Sequence, residues 1–143
     1  MNAAALLLVD DDPRDIELTL EALAATWLTG GVAVARDGVD ALDWLHRRAA
    51  HAERPPGLPL AVLLDLKMPR LGGLEVLRQV KTDPRLRRVP VVVQTSSREE
   101  RDLVAGYAHG ADAFVPKPLD FAALMAVLGP LGVRWSLGPG PAA

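Results

Sequence analysis

Leu60-Ala61-Val62-Leu63-Leu64-Asp65-Leu66-Lys67-Met68-Pro69-Arg70-Leu71-Gly72-Gly73 is the stretch that decides the fold. Its first five residues form an unbroken apolar run, the pattern of a strand covered on both faces. Asp65 closes the run, and a proline and two glycines then turn the chain. Three other runs have the same form. Leu6-Leu7-Leu8-Val9 ends in Asp10-Asp11-Asp12. Val91-Val92-Val93 ends in Gln94-Thr95-Ser96, and Ala113-Phe114-Val115 ends in Pro116-Lys117-Pro118. In an open parallel sheet, side chains at the C-terminal ends of strands converge on one crevice. The sequence therefore brings an acidic cluster, a hydroxyl and a lysine to one edge.

Helical patterns fill the gaps between these runs. Pro13 suits a first helical position, with Asp12 placed to cap it. Ile16, Leu20, Leu23 and Trp27 recur at helical spacing. After Gly30-Gly31, Val32–Ala35 reads as a short, weak strand. A second helix carries Ala41, Leu42 and Leu45, and a loop rich in proline follows from His51 to Pro59. Leu74, Leu77 and Val80 mark the inner face of a third helix, which ends near Asp83-Pro84. Glu99–His109 reads as a fourth helix, and Asp120 can cap a fifth that starts at Phe121. Strands alternating with helices five times predict an α/β fold with right-handed crossovers. Pro116 lacks an N–H donor and places the fifth strand at an edge, as does the weakness of the second. The expected architecture is a flavodoxin-like, doubly wound, five-stranded parallel sheet in the order 2-1-3-4-5. It occupies residues 1–130, with a tail of glycines and prolines at 131–143.

The composition narrows the function. The chain has 143 residues, one domain's worth, and half of them are hydrophobic. Its formal net charge is -2, so no general affinity for nucleic acid or anionic membranes is expected. There is no cysteine, which excludes disulfides and thiolate metal sites. The N-terminus has no basic segment of the kind a signal peptide needs. No apolar stretch approaches the ~20 residues of a membrane helix. A soluble, cytoplasmic protein is expected.

Four separated elements, each at a strand end, make the chain resemble a response-regulator receiver domain over roughly residues 4–128. They are Asp10-Asp11, Asp65 with Met68-Pro69 and Gly72-Gly73, Thr95-Ser96, and Lys117-Pro118. The lengthened, proline-rich loop before the third strand, the Leu66–Pro69 stretch and Trp135 are similar to the single-domain regulators that partner bacterial phytochrome kinases. The resemblance implies that Asp65 accepts a phosphoryl group from a sensor histidine kinase. It implies Mg²⁺ or Mn²⁺ held by Asp10, Asp11, Asp65 and the backbone carbonyl of Lys67. Thr95 and Lys117 would each meet a phosphoryl oxygen, Lys117-Pro118 would be cis, and Phe114 would be a switch aromatic moving with Thr95. The altered surface would bind a downstream protein or a phosphotransfer protein, with no output domain and no nucleic acid. A homodimer through helix four, strand five and helix five is expected.

The chemistry is coherent with these residue types. A carboxylate can accept a phosphoryl group, and most of the catalysis is positioning and charge neutralisation. A hard divalent cation prefers oxygen ligands, and lysine supplies a compact positive charge. Simpler readings exist for single residues: Asp12 as a helix cap, Ser97 with Glu100 as a capping box, Phe114 as core, and His46, His51 and His109 as surface residues. A competing function is a phosphohydrolase of the haloacid-dehalogenase type, using Asp10 and Asp12. It lacks a late acidic pair and leaves Asp65 unexplained.

Overall fold

The computed structural model describes residues 6–24, 31–66, 68, 70–105 and 110–130. Five strands, β1 (Leu6–Val9), β2 (Val32–Ala35), β3 (Ala61–Asp65), β4 (Val91–Thr95) and β5 (Ala113–Pro116), alternate with five helices. These are α1 (Pro13–Ala24), α2 (Gly38–His46), α3 (Gly73–Thr82), α4 (Arg98–Ala105) and α5 (Phe121–Leu128). The sheet is parallel throughout, in the order β2-β1-β3-β4-β5. Both expected edge strands, β2 and β5, are edges, and β1, β3 and β4 are the central strands. The register sets Val9 beside Leu64 and Asp65 beside Gln94. The carboxylates that follow β1 and close β3 thus leave the sheet at the same end.

Strand alternation divides the core into two layers. Leu7, Val9, Val62, Leu64, Val91 and Val93 pack with Ala41, Leu42, Leu45, Val76, Leu77 and Val80 of α2 and α3. Leu6, Leu8, Leu63 and Val92 face Ile16, Leu23, Leu124 and Leu128 of α1 and α5. Val76 was not foreseen as an inner residue of α3, and Leu74, which was, is only partly buried.

The caps largely follow the sequence. Asp12 accepts from the Arg14 and Asp15 backbone N–H groups at 2.9 and 3.4 Å. Asp120 accepts from Ala122 N–H at 3.1 Å. Asp120→Ala is expected to lower stability by about 1 kcal/mol, the usual weight of a capping side chain, measurable by urea denaturation. The Ser97–Glu100 box is only half formed. Ser97 accepts from the Glu100 N–H, but the Glu100 carboxylate turns to the Ser96 hydroxyl at 3.0 and 3.2 Å. Residues 25–30 and 106–109 lie outside the described residues, and with them Trp27, His109 and the end of the expected fourth helix. The tail at 131–143, including Trp135, does as well.

Two long-range staples were not foreseen. Arg54 folds the proline-rich loop back over α2. Its guanidinium lies 4.0 Å above the Trp44 ring and donates to the carbonyls of Trp44 (2.6 Å), Pro55 (2.6 Å) and Gly57 (3.1 Å). A planar fork of donors over an aromatic face suits arginine in particular. Arg70, in the left-handed region at φ 64°, makes a bidentate pair with Asp37, both bonds 2.8 Å. Asp37 also caps α2 through the Asp40 N–H, so the loops after β2 and β3 are tied together. Burial works against the Asp37 charge, but the Asp40 N–H and Arg70 together hold its pKa below the ordinary value. Two of the histidines read as surface residues, His46 and His51, are half-buried against acids. His51 Nε2 is 2.6 Å from Asp40, and His46 Nε2 is 3.5 Å from Asp83.

Candidate functional site

Asp10 is fully buried where β1 ends, and its Oδ1 accepts from the Asp12 N–H at 3.0 Å. Asp11 follows it, and Asp65 closes β3 with only 7 % of its surface exposed. Carboxylate oxygens of Asp10, Asp11 and Asp65 lie within 4.8 Å of one another. Acidic groups packed so closely repel unless a cation is shared. Three hard oxygen donors on converging side chains fit a hard divalent ion, which takes carboxylates and keeps waters. Lys67, whose carbonyl was expected to complete the ligand set, lies outside the described residues, as does Pro69.

Lys117 reaches the cluster from the far edge. Its Nζ is 3.2 Å from Asp10 Oδ2 and 3.2 Å from Asp65 Oδ1. A third carboxylate, Asp15 Oδ2 on the first turn of α1, is 3.0 Å away. Burial works against the ammonium, but the hydrogen bond to Asp15 and the charges of Asp65 and Asp10 outweigh it. Together they hold the Lys117 pKa well above the ordinary lysine value, so the amine stays charged throughout the neutral range. The Lys117-Pro118 peptide is cis, as expected. The Lys117 N–H donates to the Thr95 carbonyl at 2.9 Å, which fixes the β5 end against that of β4.

Thr95 is the last residue of β4, 8 % exposed. With Ser96, Ser97, Arg98, Pro116 and Lys117 it lines an open cleft of about 290 Å³. Phe114 pairs with Val93 in the ladder and packs, partly buried, on the α2–α3 side of the core. Asp12 caps α1 with its Oδ1 and is not among the acids that converge with Asp65.

Two residues of this region escaped the sequence reading. Asp15 is an acid in the first turn of α1 and belongs to none of the motifs singled out in the sequence. Gln94 occupies a strand position facing α1, is 1 % exposed, and its Nε2 finds no partner among the described residues. It lines a small cavity of about 10 Å³ together with Asp15, Thr19 and Lys117. The only sequence signal for Gln94 was a polar residue inside an apolar strand.

Residues 6–129 match the response regulator receiver domain. The chain belongs to that family. This receiver domain is therefore a phosphorylation-dependent signalling switch, and its phosphodonor is a histidine kinase. It is similar to the solved bacteriophytochrome response regulator AtBRR, with 50% identity and a TM-score of 0.90 over 96% of this chain and 99% of that one. It is also similar to the Mn²⁺-bound form of response regulator Rcp1, at 31% identity and a TM-score of 0.71, covering 96% and 98% of the two chains. Among curated relatives, the probable methanogenesis regulatory protein FilR2 of Methanothrix harundinacea is 37% identical over 96% of this chain and 88% of its own. Among the described residues of this receiver domain, no helix is long and apolar enough to cross a membrane.

Proposed function

We propose that Asp65 is the phosphoacceptor of this receiver domain, with Asp10, Asp11 and the Lys67 carbonyl completing a Mg²⁺ or Mn²⁺ site around it. The observation that carries this is the position of the Lys117 amine, 3.2 Å from both Asp65 and Asp10, at the edge of a three-carboxylate cluster. In the reaction, an Asp65 oxygen bonds to phosphorus as the P–N bond of a phosphohistidine breaks. The imidazole departs with the electron pair. A cation bound by the three carboxylates supplies charge neutralisation where acid and phosphoryl oxygens meet. Lys117 offers its ammonium to a phosphoryl oxygen, and the Thr95 hydroxyl donates to another. Movement of Thr95 toward that oxygen frees space that Phe114 fills, which reshapes the surface of α4, β5 and α5.

The donor kinase is a bacteriophytochrome, a pairing supported by the half-identical AtBRR. The signal leaves through protein contacts in the cytoplasm, to a target protein or a phosphotransfer protein, and the α4–β5–α5 face forms the homodimer. The receiver fold spans residues 1–130 and the tail 131–143. Incubation with a small phosphodonor and Mg²⁺, followed by peptide mass mapping, tests the assignment. Phosphate on Asp65 is the expected result, and phosphate on Asp10 with multiple turnover would favour a hydrolase instead. Asp11→Asn is expected to weaken Mg²⁺ binding at least about tenfold in titration calorimetry, the scale of a lost metal-site partner. Unchanged affinity would take Asp11 out of the ligand set.

A further inference from the structure

Lys117 has three carboxylate partners, and they are not equivalent. Asp10 and Asp65 belong to the cluster whose oxygens lie within 4.8 Å of one another, and Asp15 does not. Any divalent ion held by that cluster competes with the ammonium for Asp10 and Asp65 and repels it directly. Asp15 stands on the α1 side of the amine, at 3.0 Å, shorter than either other contact. Behind the pair, the buried Thr19 hydroxyl and the Gln94 amide line the small cavity and supply no further carboxylate. The Asp15 backbone is held in the first turn of α1, with its N–H among those capped by Asp12.

We infer that Asp15 is a positioning residue that keeps the Lys117 amine beside Asp65 while the cation cluster is engaged. Asp15 touches neither the acceptor nor the incoming group. It holds the lysine, and through the lysine it sets how readily the site takes phosphate. The inference rests on the assignment of Asp10, Asp11 and Asp65 as a cation site, so the test separates the two.

The full chain, labelled with ¹³C-lysine, is titrated with Mg²⁺ and the Lys117 ε-methylene signal is followed by NMR. In the parent chain the signal should stay at a bound, ordered position through saturation. In Asp15→Ala it should move toward free-lysine values as Mg²⁺ is added. Phosphorylation by phosphoramidate at saturating Mg²⁺ should slow roughly tenfold, the effect of one lost charged hydrogen bond. Asp15→Asn, which keeps an acceptor, should fall between. In a Lys117→Ala background, Asp15→Ala should cost nothing more, since a residue acting through the lysine has no effect without it. A parent-like Lys117 signal and rate in Asp15→Ala would overturn the inference while leaving the phosphoacceptor assignment intact. An equal loss in the Lys117→Ala background would overturn it in the same way. A parent chain that bound no Mg²⁺ would remove the underlying cation site, and this inference with it.

Discussion

Asp65→Asn should abolish phosphorylation, with uptake from a small phosphodonor falling at least about a hundredfold. The amide keeps the shape of the side chain but removes the nucleophilic charge. It also removes one of the three acids that converge within 4.8 Å, so crowding at the strand ends is relieved. Thermal unfolding should therefore show no loss of stability, which separates the chemical defect from a folding defect. Intact-mass measurement after phosphoramidate and Mg²⁺ treatment reads the effect directly. Substantial phosphate uptake by the variant would place the acceptor elsewhere, with Asp10 the first alternative to map.

Gly73→Ala should have a large effect on the fold itself. A Cβ at this position would overlap the carbonyl oxygen of Asp65 and lie 2.7 Å from the Leu66 Cα. Both obstacles are backbone, so no side chain can swing aside. Gly73 N–H also donates to the Leu66 carbonyl at 3.0 Å, which draws the start of α3 tightly against the end of β3. The methyl group must therefore push α3 away from the strand that carries Asp65. A destabilisation of about 3 kcal/mol or more is expected, the upper range for overpacking, seen as a shifted midpoint in urea. Phosphorylation should fall in parallel, because α3 then no longer packs against the end of β3, where the proposed acceptor Asp65 stands. A stable variant with parent activity would mean that the two backbones can separate at little cost.

The sheet and its acidic edge were legible because a parallel strand announces itself twice, by an apolar run and by the charged residue that ends it. Asp10, Asp65 and Lys117 each stand at such an end, and strand order then brings them together. Asp15 was not legible, since an acid in the first turn of a helix has a sufficient local reason to be there. Only the arrival of Lys117 from more than a hundred residues along the chain gives it a second role. Glu100 shows the same limit. The spacing from Ser97 fits a capping box, yet the carboxylate finds the Ser96 hydroxyl instead. Arg54 was read as one residue of a loop, and nothing local marks it as the side chain that gathers the carbonyls of Trp44, Pro55 and Gly57. Contacts set by local spacing could be read from the chain, and those made by long side chains across it could not.

The Arg54 staple also bears on how this molecule can be altered. The loop it organises joins the end of α2 to the start of β3, at the opposite pole from the carboxylates. It closes on itself through its own guanidinium, so its length can drift without the acidic pole registering the change. A fluorescent protein or peptide tag inserted beside Glu53 would thus be carried at arm's length from the chemistry, provided Arg54 and Trp44 were kept.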